Sequence, residues 1–343
     1  MRIVLDALGS DDCPEPEVQA ALQAAREFGD EILLVGPADQ LRDKLDALDG
    51  TTTRVQIVNA TEAITMEDKG LKLALKAKRR EAKNSMAVGI DLVKSGEADA
   101  FVTAGNTGGA LTTAYYRLGL IPGLERPALT ALFPVKGGHT VVLDIGANPE
   151  CKPEHLYQFA IMGTIYAQKV LQIEDPRLGL LSNGEEAGKG NQLVQETFPM
   201  LEASELNFIG NVEGKELFGG QADVVVMDGF TGNILLKSSE AVAKLLIDSL
   251  RQELMSSFRT KVGAAMAKPA FGVIRKMLDP AEVGAAPLLG INGLVFIGHG
   301  RSDAFALVNA IRNARKAVEA KLLDAIQEAI EEQLSQSALP GEP

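Results

Sequence analysis

Tryptophan is absent from the 343-residue chain, cysteine occurs twice, histidine three times, and aromatic residues make up only 5%. Two cysteines, Cys13 and Cys151, build no disulfide framework and point to a reducing compartment. No apolar run approaches the roughly 20 residues a membrane-spanning helix needs. A strand, Arg2-Ile-Val-Leu-Asp6, starts at once and leaves no room for a secretory leader. Basic charge is also short. A net charge of −12 argues against a general nucleic-acid binder, which carries a basic face. The histidines and cysteines show no metal-ligand spacing. No Gly-x-Gly-x-x-Gly opens the first helix, which disfavours a dinucleotide dehydrogenase. The expectation is a cytoplasmic-type protein with no metal and no cofactor.

Glycine (34 residues) and alanine are plentiful, which suits close packing of helices on a sheet. Apolar strands near 2–6, 31–35, 54–58, 100–103, 128–133, 140–145, 177–181, 206–210, 223–227 and 293–297 alternate with amphipathic helices. That order predicts an α/β fold with a largely parallel sheet covered on both faces, a three-layer Rossmann-like arrangement. Residues 1–334 read as one α/β unit, two lobes sharing a cleft being the other option, and 335–343 as a loose tail. The last helix is expected from Asp303 to about Leu334.

Chemistry concentrates at strand ends. Gly105, Asn106, Thr107 and Gly108 join a strand to a helix, where backbone N–H groups gather at the positive helix terminus and an anion fits. Asp144-Ile-Gly-Ala-Asn148 follows another strand, and Ser182 to Asn191 a third. The latter imitates a P-loop without being one. Only three residues separate Gly184 from Gly188, and Gly190 stands where Ser or Thr would hold Mg²⁺. Asp228-Gly-Phe-Thr-Gly-Asn233 repeats the theme before a long helix. In a parallel sheet these ends share one edge and converge on one anionic group.

Two basic stretches interrupt the acidic background. Residues 66–83 hold Lys69, Lys72, Lys76, Lys78, Arg79, Arg80 and Lys83, read either as a solvated helix face or as a docking surface for an acidic partner. Residues 251–279 carry a net charge of +4, with Leu250, Leu254, Phe258, Val262 and Met266 at every fourth position. This protruding amphipathic segment suits an anionic membrane surface, an acidic partner, or a packed helix pair between subunits.

Taken in order, Gly105-Asn-Thr-Gly108, Asp144-Ile-Gly-Ala-Asn148 with Cys151-Lys-Pro-Glu-His155, Gly184-Glu-Glu-Ala-Gly-Lys-Gly-Asn191, Asp228-Gly-Phe-Thr-Gly-Asn-Ile-Leu-Leu-Lys237 and Pro287-Leu-Leu-Gly-Ile-Asn-Gly293 with Gly298-His-Gly300 resemble the bacterial phosphate acyltransferase family of PlsX type. The resemblance covers roughly residues 1–316. It departs where Ser10-Asp11-Asp12 replaces the family's Gly-Asp-His, where Lys83-Asn84-Ser85 replaces Asp-Ser-Ser, and at Gly109. No role for a first-loop histidine carries over. The resemblance implies transfer of a long-chain acyl group from acyl carrier protein to inorganic phosphate. A membrane glycerol-phosphate acyltransferase would use the product in glycerophospholipid synthesis. It further implies a fold akin to phosphotransacetylases and isopropylmalate dehydrogenases, a homodimer and peripheral membrane association.

For that reaction the Gly105–Gly108 turn, with Asn106 and Thr107, is expected to hold phosphate. Lys189 would neutralise phosphate or the oxyanion, with Asn191 and Asn233 as neutral donors and Asn148 and Asn292 completing the binding set. Asp144 or Asp228 would orient phosphate or take its proton, and His299 would protonate the leaving thiolate. On this reading Lys189→Ala cuts turnover about 10²–10³-fold. A rival route makes Cys151 an acyl-accepting nucleophile with His155 beside it. A different class stays open: a non-catalytic binder of acylated or phosphorylated metabolites that regulates lipid synthesis.

Overall fold

The computed structural model describes residues 1–48, 54–79, 81 and 83–337. Strand and helix alternate from the start: β1 (Arg2–Asp6), α1 (Glu15–Phe28), β2 (Glu31–Gly36), α2 (Ala38–Ala47), β3 (Val55–Asn59), α3 (Gly70–Lys78), α4 (Ser85–Lys94), β4 (Ala100–Thr103) and α5 (Thr107–Leu118). A hairpin, β5 (Ala128–Val135) and β6 (Gly138–Leu143), leads to α6 (Pro153–Val170), β7 (Leu178–Leu181), α7 (Gln192–Glu202), β8 (Phe208–Val212), α8 (Gly214–Gly219) and β9 (Val224–Val226). Two long helices follow, α9 (Gly229–Leu254) and α10 (Phe258–Leu278). The chain closes with β10 (Ala285–Leu289), β11 (Leu294–Gly298), α11 (Ala304–Glu319) and α12 (Leu322–Ser337).

Local chemistry sets these boundaries. Pro16 opens α1, where its missing N–H costs nothing, and Gly29 at φ 72° ends it in the left-handed conformation that a side chain resists. Residues 303–334 form two helices rather than one, broken at Lys321, which has φ 50°. The remainder of the expected tail, 338–343, lies outside the described residues, as does Arg80.

The eleven strands form one sheet in the order β3-β2-β1-β4-β11-β10-β5-β6-β9-β7-β8. Along β1, Ile3 and Leu5 enter one core with α1, α6, α11 and α12, while Val4 enters the other with α4 and α5. This period-two alternation makes the sheet the middle of three layers. Seven of the ten strand pairings are parallel; those of β11 with β10, β10 with β5, and β5 with β6 are antiparallel.

Those three reversals correct the expectation of one shared edge. β4 and β11 run one way, and β6, β7 and β9 run the other. The Gly105–Gly108 turn therefore lies at the opposite edge of the sheet from Asp144, Asp228 and the 182–191 loop.

α9 and α10 form a hairpin. No residue of α10 is buried, and Phe258 and Met266 are 82% and 81% exposed. The every-fourth stripe from Leu250 to Met266 is not one helix face, because Ser257 caps a new helix by accepting from the Thr260 N–H.

Candidate active site

At the first edge three loops pack together around the Gly-rich turn. Gly9 lies so close that a Cβ there would stand 2.9 Å from the N atoms of Ala104 and Gly105. The Asp11 N–H donates to the Gly300 carbonyl at 2.7 Å, fastening the first loop to the loop that carries His299. Beneath the turn, buried Asp6 accepts from the Thr103 hydroxyl at 2.8 Å, and Thr103 Oγ1 accepts from the Gly105 N–H at 3.0 Å. Burial raises the Asp6 carboxyl above the usual carboxylate range, against the pull of these hydrogen bonds.

Asn106 is committed to scaffold. Its Oδ1 accepts from the Gly109 N–H at 2.9 Å, capping α5, and its Nδ2 donates to the Thr65 carbonyl at 2.9 Å. Thr107 and Gly108 are exposed in the first turn of α5, where helical N–H groups lack partners within the helix. This geometry suits an anion.

His299 is half-exposed beside that turn, and its Nε2 lies 3.6 Å from Glu240 Oε1 on α9. Lys237 Nζ donates to the other oxygen of Glu240 at 3.0 Å. Burial lowers the His299 pKa; Lys237 and Arg301 act the same way, while Glu240 opposes them. Lys237 and Glu240 are further candidates that residue types alone do not single out. Their signal was the spacing Asn233, Lys237, Glu240, which is i, i+4, i+7 and places all three on one face of α9.

The second edge gathers Asp144, Asn148, Asp228 and Asn233, with the 182–191 loop on the neighbouring strand. Asp144 is fully buried and accepts five hydrogen bonds, from the N–H groups of Leu129, Gly146, Ala147 and Asn148 and from Asn148 Nδ2. Burial pushes its carboxyl up while these donors pull it back. Both its oxygens are committed to the turn. Asn148 Nδ2 also donates to the Pro127 carbonyl at 2.6 Å. Asp228 caps α9, accepting from the Thr231 N–H at 2.9 Å and the Thr231 hydroxyl at 2.8 Å. Asn233 is exposed and faces Gly146.

Lys189 is exposed, its stem folded over Gly184. Asn191 caps α7 by accepting from the Val194 N–H at 3.0 Å. Asn292 stands apart from the Gly-rich turn: its N–H donates to the carbonyl of Gly119, at the far end of α5, and its side chain accepts from Gln327 at 2.9 Å. Twelve helical residues, about 18 Å, separate it from Thr107.

The two edges are joined by α9. Its first turns pack so tightly that a Cβ on Gly232 would overlap the Asp144 carbonyl oxygen, and Glu240 reaches His299 two turns later. Asn233 and Glu240 are seven residues apart, or about 10 Å along the axis.

Two other chemistries find little support in the geometry. Cys151 is half-buried, and burial with Asp144 nearby pushes its thiol up to about 12, far from a reactive thiolate. His155 is buried and turned to Glu125 at 3.1 Å. Among the described residues one acidic cluster, Glu185, Glu213 and Glu216, has metal-like spacing, but Lys215 Nζ sits among all three at 2.8, 3.3 and 3.3 Å.

The overall arrangement matches solved structures of phosphotransacetylases and of a dehydrogenase. A Streptococcus pyogenes phosphotransacetylase superposes with TM-score 0.59 at 18% identity, covering 96% of this chain and 94% of that one. The Staphylococcus aureus EutD phosphotransacetylase gives 0.58 at 17%, covering 93% and 94%. A Salmonella typhimurium structure described as a 4-hydroxythreonine-4-phosphate dehydrogenase gives 0.53 at 12%, covering 92% and 98%. The fold is thus that of phosphotransacetylases and related dehydrogenase-like enzymes. In sequence, residues 1–324 match the family of fatty acid synthesis proteins. A phosphate acyltransferase of Acidobacterium capsulatum is 47% identical over 91% of this chain and 92% of its own length, and one of Pelotomaculum thermopropionicum 45% over 96% and 95%. The chain belongs to this phosphate acyltransferase family and is an acyltransferase.

Proposed function

We propose that this enzyme transfers a long-chain acyl group from acyl carrier protein to inorganic phosphate, releasing acyl phosphate and free carrier. The observation that carries the reading is the pairing, at one sheet edge, of an exposed helix N-terminus suited to phosphate with a half-exposed histidine. A phosphate oxygen attacks the thioester carbonyl carbon, the C–S bond breaks, and His299 gives its proton to the departing sulfur. The N–H groups of Asn106 to Gly108 hold phosphate, with Thr107 as an added donor and the side chain of Asn106 fixing the turn. Glu240 holds the imidazole.

The second edge takes the far part of the thioester. Beyond the Asn233–Lys237 face of α9, Lys189 and Asn191 offer it a cation and a neutral donor, while the carrier-linked arm enters from the side of the phosphate turn. Asp144, Asn148 and Asp228 position this edge through hydrogen bonds to the backbone, and Asn292 supports the neighbouring β10–β11 turn.

Two exposed helices without buried residues in α10 support a homodimer formed through the hairpin, and its basic, apolar surface suits peripheral contact with an anionic membrane. No helix among the described residues is long and apolar enough to cross a membrane. A membrane glycerol-phosphate acyltransferase is the consumer of acyl phosphate, in glycerophospholipid synthesis. No cofactor enters the scheme, and nucleic acid is not a partner.

The test is direct. Purified protein is mixed with long-chain acyl carrier protein, with and without inorganic phosphate, and acyl phosphate is trapped as hydroxamate. Phosphate-dependent hydroxamate supports the transfer; carrier bound with no product would instead make the chain a binding protein on an enzyme's scaffold.

A further inference from the structure

The proposed reaction leaves one built surface unused. α3 and the middle of α5 lie side by side next to the Gly-rich turn, and both present large apolar side chains to solvent. Leu71 and Leu75 are 76% and 63% exposed, and Tyr115 and Tyr116 are exposed on α5. Leu71, Leu75 and Lys78 follow i, i+4, i+7 and form one stripe along α3. Lys78 Nζ sits 4.0 Å from the centre of the Tyr116 ring, tying that stripe to α5, and Tyr115 packs edge-on against Tyr116.

Charge runs against the rest of the molecule here. In a chain of net charge −12, the described part of 66–83 has six cations (Lys69, Lys72, Lys76, Lys78, Arg79, Lys83) and three anions (Glu67, Asp68, Glu81). Lys72 and Lys76 clamp buried Asp68 at 2.7 Å each, which rigidifies the segment and drives the Asp68 carboxyl well below the usual carboxylate range. Lys69, Lys78 and Lys83 stay exposed around the apolar stripe. A rigid, half-apolar, cationic face of this kind complements an acidic amphipathic helix on a protein partner.

Its position says which partner. The opposite face of α3 presses Leu73 toward the turn, where a Cβ on Gly109 would stand 3.4 Å from Leu73 Cδ1, and Asn106 is tethered to Thr65. The stripe and the phosphate turn thus belong to one small assembly. We propose that the Leu71–Leu75–Lys78–Tyr116 face docks an acidic helix of the protein that delivers the acyl thioester, so that its arm enters at the Gly105–Gly108 turn. This rests on the carrier-dependent reaction proposed above.

The experiment compares wild type with Lys78→Glu and Leu75→Glu, both at exposed positions, after circular dichroism confirms folding. Binding of the acidic carrier protein is read by fluorescence anisotropy. Phosphate-dependent turnover is read separately with acyl carrier protein and with a small neutral acyl N-acetylcysteamine thioester. Each variant is expected to weaken carrier binding and raise KM for the carrier-bound substrate about tenfold or more. Turnover of the small thioester should stay within twofold, and Lys78→Arg should restore binding. Equal carrier binding by wild type and variants overturns the docking face. So does a drop in vesicle binding without a drop in carrier binding, or dissociation of a homodimer by Leu75→Glu, which would make the face a lipid or subunit contact. No turnover by wild type with either thioester overturns the transfer reading alone, since carrier binding is measured independently.

Discussion

Burial and the nearby cations Lys237 and Arg301 disfavour the His299 imidazolium while Glu240 favours it, and its protonation follows from their balance. Glu240 alone among the named neighbours favours the imidazolium, so Glu240→Gln lowers the His299 pKa further. A proton donor works only while protonated, so activity falls as pH rises through that pKa. The descending limb of the kcat/KM profile is expected to move to lower pH in the variant; an unmoved limb would remove His299 as the donor. Lys189 changes meaning with its location. At the edge away from the phosphate turn it meets the far part of the thioester rather than the reacting atoms, so Lys189→Ala should raise KM for the acyl substrate and leave kcat near normal. A fall of kcat by 10²–10³ would restore it to the oxyanion. Residue types alone singled out His299 and Lys189. They did not reveal that Asp144 has both oxygens occupied, because saturation of a carboxylate depends on Leu129, fifteen residues upstream.

α9 decides how the two edges are spaced. It begins against Asp144 and reaches His299 with Glu240, so its docking is sensitive to its first turns. Gly232→Ala would set a methyl group into the Asp144 carbonyl and destabilise the protein by about 3 kcal/mol or more, measurable by urea unfolding. In the distal hairpin, Phe258→Glu with Met266→Glu should leave folding intact, because both side chains are exposed, and reduce flotation with anionic vesicles. Unchanged flotation would leave the hairpin to the dimer. The helical stretches were legible from spacing and caps, including Gly29 and the Pro153 start of α6. The long helix from Ile234 is expected to end at about Phe258 and ends at Leu254; Leu250 to Met266 keeps the same four-residue spacing across the turn, so periodicity alone does not place the break.

Stability of the whole molecule should carry a pH signature from Glu17. It is fully buried under the first loop, accepts from the Ser10 N–H at 2.9 Å, and burial raises its carboxyl to about 7. The folded state therefore prefers Glu17 protonated. That preference contributes fully below the unfolded carboxyl range near 4.3, diminishes as pH rises, and is lost through pH 7. Glu17→Gln, which keeps an acceptor for Ser10, should exceed wild type in stability at pH 8 by up to about 3 kcal/mol and match it below pH ~4. Urea melts at the two pH values check this; equal stability at pH 8 would show that water reaches the carboxylate.

The amino-acid order by itself determined the alternation of strands and helices, the α/β class, the glycine-rich turns and the family, because each is written in local spacing or contiguous motifs. Tertiary structure decided which motifs meet. The reversals at β10, β5 and β6 are set by pairing between distant segments, such as Leu288 with Leu129, and no local period encodes strand direction. They send the Gly105–Gly108 turn to one edge and Asp144, Asp228 and Lys189 to the other. Only the length of α9, packed across the reversal, then puts Glu240 beside His299.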